Sequence, residues 1–361
     1  MNTYFIHYII DLIILAIIYF PLTIFSAKRL FKLFSKKYNK NILYLITTIF
    51  VLLPISITLQ QNLNTGLTTV LYYLIYLVIG AIIYLIIFTI IIEFIRLIFR
   101  LNKKSHKYLG YTIIILTLIV SIYSYINTLS YKEEIILIQS PKIEQDLKII
   151  QLSDVHIFGS HSQNRFNKVY KLAIKNNPDF IVITGDLFDY PGEIPIDTIN
   201  IINDYNIPVI FVYGNHDVMI GDKIVNNILN QTKIISLNNE KYVIDGIVLT
   251  GIKDKDTKTY VTEALSKMDL NKEKYNILLN HKPQEVKLAQ EKGYDLMLSG
   301  HTHAGQIFPL NLLEYLASPY LKGLYEVGNM KLYVNQGTYI WGFKMRNFSR
   351  NEITIIELKK E

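Results

Sequence analysis

The chain has 361 residues, half of them apolar, a formal net charge of +7 and no cysteine. That length allows two domains, and the missing thiols exclude disulfides and thiolate metal sites, so any metal must be held by His, Asp, Glu or Asn. Through residue 130 there are eleven Lys and Arg against two acids, and beyond it twenty-six against twenty-eight. The positive excess therefore belongs to the first part, where it speaks to membrane topology and not to nucleic acid.

In chain order, four apolar runs are long enough to cross a bilayer, which takes about 20 residues. They fall near 4–25, 42–60, 67–92 and 111–129. Lipid offers no partner to backbone N–H and C=O groups, so these spans are expected to be helices, and residues 1–130 an all-α membrane domain. Every basic residue of this part lies in KRLFKLFSKKYNK (28–40) or RLIFRLNKKSHK (96–107), while QQNLNTG (60–66) is uncharged. The positive-inside rule makes both basic loops cytoplasmic and puts the chain after residue 130 on the outer face. Asp11 reads as snorkelling to the outer interface. Glu93 reads as pairing with Arg96 three residues on. His7 and His106 read as interfacial.

From residue 131 to 361 the pattern changes to α/β. Runs at 147–154, 179–186, 207–214, 275–280, 294–300, 331–337 and 352–358 read as strands, and 165–177 as an amphipathic helix stopped by Pro178. Residues 131–146 form either a linker or an opening edge strand. Several of these strands end in a polar cluster: Asp154 and His156 in SDVH, Asp186 and Asp189 in GDLFD, Asn215, His216 and Asp217 in GNHD, then His281, and finally His301 and His303 in GHTH. Ligands of open α/β sheets bind beyond the carboxyl ends of strands, so these clusters are expected to converge. Asp154 and His156 share a side if the backbone there is extended. His161, in a polar loop, reads as solvated. Gly185, Gly214 and Gly300 let the backbone approach closely beside the ligands.

Oxygen and imidazole donors with one shared carboxylate suit a pair of divalent cations. Two cations about 3.5–4 Å apart lower the pKa of a bridging water and clamp the attacking and leaving oxygens of a displacement at phosphorus. His216 fits the task of protonating the leaving group, with the neighbouring Asp217 orienting it.

The order SDVH, GD, GNHD, NH and GHTH resembles the calcineurin-like metallophosphoesterases, in particular a bacterial membrane-associated branch that includes relatives of UDP-2,3-diacylglucosamine hydrolase. The likeness covers about 145–358 and leaves out the spans. It implies a four-layer β-sandwich of two mixed sheets flanked by helices. It implies one metal held by Asp154, His156 and His303 and a second by Asn215, His281 and His301, with Asp186 bridging. His216 would be the acid, assisted by Asp217. The usual metals are manganese, iron or zinc. Ala304 and Lys282 depart from the family's habit without removing a ligand; Lys282 either meets an anionic substrate or is solvated.

The apolar stretch 306–325 that follows GHTH is either a helix packed on the core or a membrane-facing wall for an acyl or prenyl chain. Lys344, Arg346 and Arg350 either meet phosphate or are solvated. The reading is a multi-pass membrane phosphohydrolase with an outward site, acting on a phosphodiester or on a lipid-linked or cell-envelope phosphate or pyrophosphate. The alternative is a four-span sensor or transporter whose domain only binds ligand.

Overall fold

The computed structural model describes residues 14–63, 65–159, 162–189, 194–255 and 258–361. His7, Asp11, His161 and the start of the first expected span, residues 4–13, lie outside them. The chain divides into two compact units, one of residues up to Ile126 together with Gly342–Met345, the other of Asn127–Trp341 and Arg346–Glu361. The expected boundary at residue 130 therefore omits a short return of the chain to the first unit.

The first unit is helical: α1 (Phe20–Leu33), α2 (Lys40–Leu63), α3 (Gly66–Ile98) and α4 (His106–Ile126). Among the described residues three segments are long and apolar enough to cross a membrane, Lys40–Leu63, Gly66–Ile98 and Lys103–Ile126. They carry the second, third and fourth expected spans. Thr65 starts α3: its side chain accepts from the Thr68 amide while the Thr68 hydroxyl accepts from the Thr65 amide, which satisfies two otherwise orphaned donors. Inside the bundle, polar groups find one another. Thr69 Oγ1 lies 3.1 Å from Gln60 Oε1 and Tyr84 Oη 3.1 Å from Ser124 Oγ. Glu93 accepts from Arg96 Nε at 2.9 Å, as expected, and also from Arg29 of α1. The Phe34 ring meets Tyr111 near the start of α4. Both basic blocks thus gather at one end of the bundle. Near the other end, Phe343 packs edge-on against Tyr76, and Lys344 Nζ lies over the rings of Tyr73 and Tyr125. Lys344 is thereby spoken for by aromatic faces.

The second unit is two six-stranded mixed sheets. The first has the order β1 (Tyr131–Ser140), β12 (Asn351–Lys360), β2 (Leu147–Leu152), β3 (Phe180–Thr184), β4 (Val209–Val212) and β5 (Ile234–Ser236). The second runs β10 (Gly323–Val327), β11 (Met330–Val334), β9 (Leu296–Ser299), β8 (Tyr275–Asn280), β7 (Ile247–Ile252) and β6 (Glu240–Ile244). Residues 131–140 are an edge strand, paired parallel to β12. The central strands are apolar throughout because both faces are covered. Ile149, Val182 and Ile210 of one sheet meet Leu249, Ile277 and Leu298 of the other. Phe166, Val169 and Tyr170 of α5 (Ser162–Lys175) cover the outer face of the first sheet. Val261 and Leu265 of α8 (Lys258–Ser266) and Val286 and Ala289 of α9 (Val286–Lys292) cover the outer face of the second. The helices α6 (Asn215–Ile220) and α7 (Asp222–Leu229) follow β4. Each fully buried aliphatic or aromatic side chain contributes about 1.5–3 kcal/mol, so the four layers are held chiefly by burial. Buried polar groups also tie the sheets together: Gln151, fully buried on β2, donates through Nε2 to Thr184 Oγ1 and to the Ser299 carbonyl, both at 2.9 Å, and Tyr333 Oη of β11 donates to Glu352 Oε1 of β12 at 2.6 Å.

Candidate metal centre

The polar clusters do converge. β2, β3, β4, β8 and β9 deliver them from their carboxyl ends, parallel to one another within each sheet. The turn that brings in each ligand is unusual. Asp154, His156, Asp186, His301 and His303 all have φ between 48° and 73°, the left-handed region that costs a non-glycine residue free energy and collects at functional sites. Asp154 and His156 therefore do not share a side by extended alternation. Each is aimed inward by its own left-handed kink. The kinks are pinned from outside: Asp154 N donates to the Gly185 carbonyl and His156 N to the Asp186 carbonyl, both at 3.0 Å. Arg165 of α5 donates to the Val155 and His156 carbonyls and stacks its guanidinium 3.7 Å from the Tyr339 ring centroid.

Gly300 shows why small residues flank the ligands. A Cβ there would collide with Ser153 Oγ and the Asp154 carboxylate. At Gly185, with φ +86°, it would strike the His281 ring.

Three groups of donors lie close enough to hold a cation: Asp154 with His156 and His303, Asp186 with His281 and His301, and, between them, His156 with Asp186 and His216. In the first group His156 Nε2 and His303 Nε2 face each other at 3.0 Å, and His303 Nε2 is 3.3 Å from Asp154 Oδ1. In the second, His281 Nε2 is 3.1 Å from Asp186 Oδ2. His281 Nδ1 lies 2.8 Å from the Thr184 carbonyl, so it is the nitrogen that carries the proton. That assignment turns the Nε2 lone pair toward the carboxylate. Asn215 Oδ1 is buried without a hydrogen-bond partner. Imidazole nitrogens and carboxylate oxygens gathered this closely are what a cation would satisfy, so the residues present fit a metal.

The electrostatics agree. Burial pushes His301 and His303 well below the ordinary imidazole value, keeping them neutral and able to ligate. Burial opposes charge on His281, but Asp186 outweighs it and lifts the group to about 10. A proton there stands in for the cation that the same carboxylate would bind. Burial opposes ionisation of Asp186 too, yet His281 and His216 hold it well below the usual carboxylate range.

The partner of His216 differs from the sequence expectation. Asp217 does not orient it: its oxygens accept from the Gly214 amide at 2.8 Å and the Phe188 amide at 2.9 Å, which caps α6. Being next in sequence on a helix turns Asp217 away from the His216 ring. The carboxylate against His216 is Asp189, whose Oδ1 lies 2.6 Å from Nδ1 and whose other oxygen is 3.1 Å from His156 Nδ1. Burial opposes charge on His216, but Asp189 and Asp186 raise it to about 9. The signal for Asp189 was present in GDLFD, which carries both acids; what sequence does not show is the pairing of its amide to the Ile157 carbonyl at 2.9 Å, which holds Asp189 beside His156 and His216. The Trp341 ring closes on His216 with centroids 5.8 Å apart.

Arg346 is likewise no phosphate contact. It is fully buried and donates to the carbonyls of Gln336 at 2.8 Å and Tyr339 at 2.7 Å, with Nη2 3.3 Å from His303 Nδ1. Lys282 is neither free nor simply solvated: its Nζ is 3.1 Å from Asp254 Oδ2.

Residues 147–305 match the calcineurin-like phosphoesterase family. An uncharacterized metallophosphoesterase of Campylobacter jejuni is 34% identical over 286 residues, 74% of this chain and 76% of the relative. One from Helicobacter pylori is 34% identical over 235 residues, 60% of this chain and 61% of the relative. A transmembrane protein with metallophosphoesterase domain from Danio rerio is 31% identical over 271 residues, 68% of this chain and 62% of the relative. The chain thus spans under two thirds of the length of two of these three relatives.

Proposed function

The chain belongs to the calcineurin-like phosphoesterase family, a family of hydrolases acting on phosphoester bonds, and from that premise we propose that it is a membrane-anchored phosphohydrolase working with two divalent cations on a lipid-linked phosphoester. The observation that carries the reading is the convergence of two buried donor groups, Asp154 with His156 and His303 and Asp186 with His281 and His301, with His281 Nε2 3.1 Å from Asp186 Oδ2. Asp154, His156 and His303 would hold one cation, Asn215, His281 and His301 the other, and Asp186 both. Manganese, iron or zinc would suit this donor set. Bound there, the cations supply Lewis acidity and lower the pKa of water at phosphorus.

The chain's own residues do the rest. Asp189 holds a proton on His216 and fixes the ring orientation. His216, raised to about 9, is protonated at neutral pH and gives that proton to the leaving oxygen. Trp341 covers one side of the His216 ring and excludes water from it. Arg165 and Arg346 hold the turns on which His156 and His303 sit.

The basic blocks support a site on the outer face. They gather at the end of the helical unit where Arg29, Arg96 and Glu93 meet, and that end is the cytoplasmic one by the positive-inside rule. The helix α4 starts there at His106, and its 21 residues reach about 31 Å, a full bilayer core.

The test uses the full chain in detergent, stripped of metal and then given Mn²⁺, Fe²⁺ or Zn²⁺ in turn, with bis-p-nitrophenyl phosphate and p-nitrophenyl phosphate as substrates. Metal-dependent turnover abolished by chelator is the expected result. No turnover with any of the three metals would favour a ligand-binding domain that regulates or senses.

A further inference from the structure

The helix α10 (Leu310–Ala317) follows the last metal ligand after six residues and is built inside out. Its polar side chains Asn311 and Glu314 are half-buried, and Asn311 Oδ1 is shut away from solvent altogether. Its outward face is Leu312, Leu313, Tyr315 and Leu316, between 55% and 81% exposed. A water-facing helix puts its apolar stripe on the core and its polar residues outside. This one does the reverse, so the core-packed reading fails for the helix, while Ile307 and Tyr320 on either side of it do pack inward. Scattered exposed apolar residues are ordinary, whereas a contiguous face marks an interface.

The patch runs toward the catalytic mouth. Phe308, just before the helix, packs edge-on against Phe348, which is 70% exposed. Gln306 donates through Nε2 to the Trp341 carbonyl at 2.9 Å and accepts from its amide at 3.0 Å. Trp341 is the residue that closes on His216.

What covers this face is argued from the chain that carries it. Three of its helices are long and apolar enough to cross a membrane. Only residues 127–130 separate the end of the last of them from β1, at most about 18 Å of extended chain. The face and its edge have the composition of a headgroup boundary: Tyr315 within the face, and beside the exposed Phe348 the basic Lys322, whose Nζ donates to the Phe348 carbonyl at 2.5 Å. We infer that the outward face of α10 lies in the surface of a phospholipid bilayer and borders the route by which a lipid-borne phosphoester reaches the metal centre. This rests on the membrane phosphohydrolase reading above, and it names the surface that reading would use.

The chain has no cysteine, so single cysteines can be placed in the full-length protein. Leu316→Cys and, as a water-facing control, Lys287→Cys, whose side chain is 88% exposed, are labelled with a nitrobenzoxadiazole dye in nanodiscs of phosphatidylcholine and phosphatidylglycerol. The label at 316 is expected to emit at shorter wavelength than that at 287 and to be quenched by nitroxide-bearing lipid, while that at 287 is not. Identical emission at the two positions would overturn the inference. So would a shifted but unquenched label at 316, joined by disulfide formation between two copies of the unlabelled Leu316→Cys variant under oxidant, which would assign the face to self-association. The variant Leu313→Asp/Leu316→Asp should lose turnover of a phosphoester lipid in these nanodiscs while keeping turnover of soluble bis-p-nitrophenyl phosphate; equal retention of both would remove the route to the site. A label seated in lipid on a protein with no turnover of any phosphoester would support the helix placement and sink the hydrolase reading, so the two failures are distinguishable.

Discussion

Replacing Asp189 by Asn tests the proposed acid catalyst through the residue that holds its proton. The Asp189 carboxylate is 2.6 Å from His216 Nδ1 and almost fully buried. Two unit charges about 4 Å apart at an effective dielectric near 20 attract by about 4 kcal/mol. The rise of His216 from its ordinary 6.5 to about 9 corresponds to about 3 kcal/mol. The two figures agree once burial, which opposes the charge, is set against the attraction. Asn keeps the shape and a carbonyl acceptor but removes the charge, so most of that stabilisation of imidazolium goes. The sign follows: a raised imidazole is protonated below its pKa, and the acid is lost as pH rises through about 9 in the native chain and through a lower value in the variant. The assay is the pH profile of kcat on a phosphodiester with an alkoxide leaving group, beside bis-p-nitrophenyl phosphate, whose leaving group needs little help. For Asp189→Asn we expect the alkaline limb to move toward neutral pH and kcat on the alkoxide substrate to fall about 10²-fold, with a much smaller loss on the nitrophenyl ester. Metal content is measured alongside, because Asp189 also faces His156. An unmoved alkaline limb at full metal content would refute the reasoning, as would finding that Asp217→Asn moves it instead.

Chelation should abolish turnover and lower the melting temperature of the second unit, since a ligand held at 100 times its Kd stabilises by about 2.7 kcal/mol; a melting curve indifferent to chelator would deny that the donors hold an ion. In Gly300→Ala the added methyl meets Ser153 Oγ and the Asp154 carboxylate, so metal content should fall and stability drop by about 1–3 kcal/mol, read by metal analysis and thermal unfolding. Asn215→Leu removes one buried unpartnered acceptor and should cost one of two bound metal equivalents while leaving the fold intact; retention of both equivalents would take Asn215 out of the ligand set. Glu93→Gln leaves Arg29 and Arg96, each about a fifth exposed, facing a neutral partner inside the helical unit, so unfolding in a denaturant series in detergent should come at lower denaturant; an unmoved midpoint would deny the pair a structural role.

Much of this protein is written in one dimension. Apolar length alone marks the spans from 42 to 129, because a bilayer demands helices of that reach. Both-sides burial makes β3, β4 and β8 read as unbroken apolar runs. The strand-end clusters name Asp154, His156, Asp186, His281, His301 and His303, which the fold brings within reach of one another, because each stands where a parallel strand runs out. The short or polar strands β5, β6 and β10 were not legible, since they owe their state to a neighbour's edge and not to their own pattern. Nor was the direction in which each ligand points: left-handed kinks at five site residues, stabilised by backbone partners far along the chain, decide that. Sequence adjacency suggested Asp217 as the companion of His216, while the helix turned it to the amides and the fold supplied Asp189 across the gap. The polarity of 310–317 was plain as composition, but which face is outside is settled only by packing, because periodicity says that two faces differ and only the surrounding elements decide which one is buried.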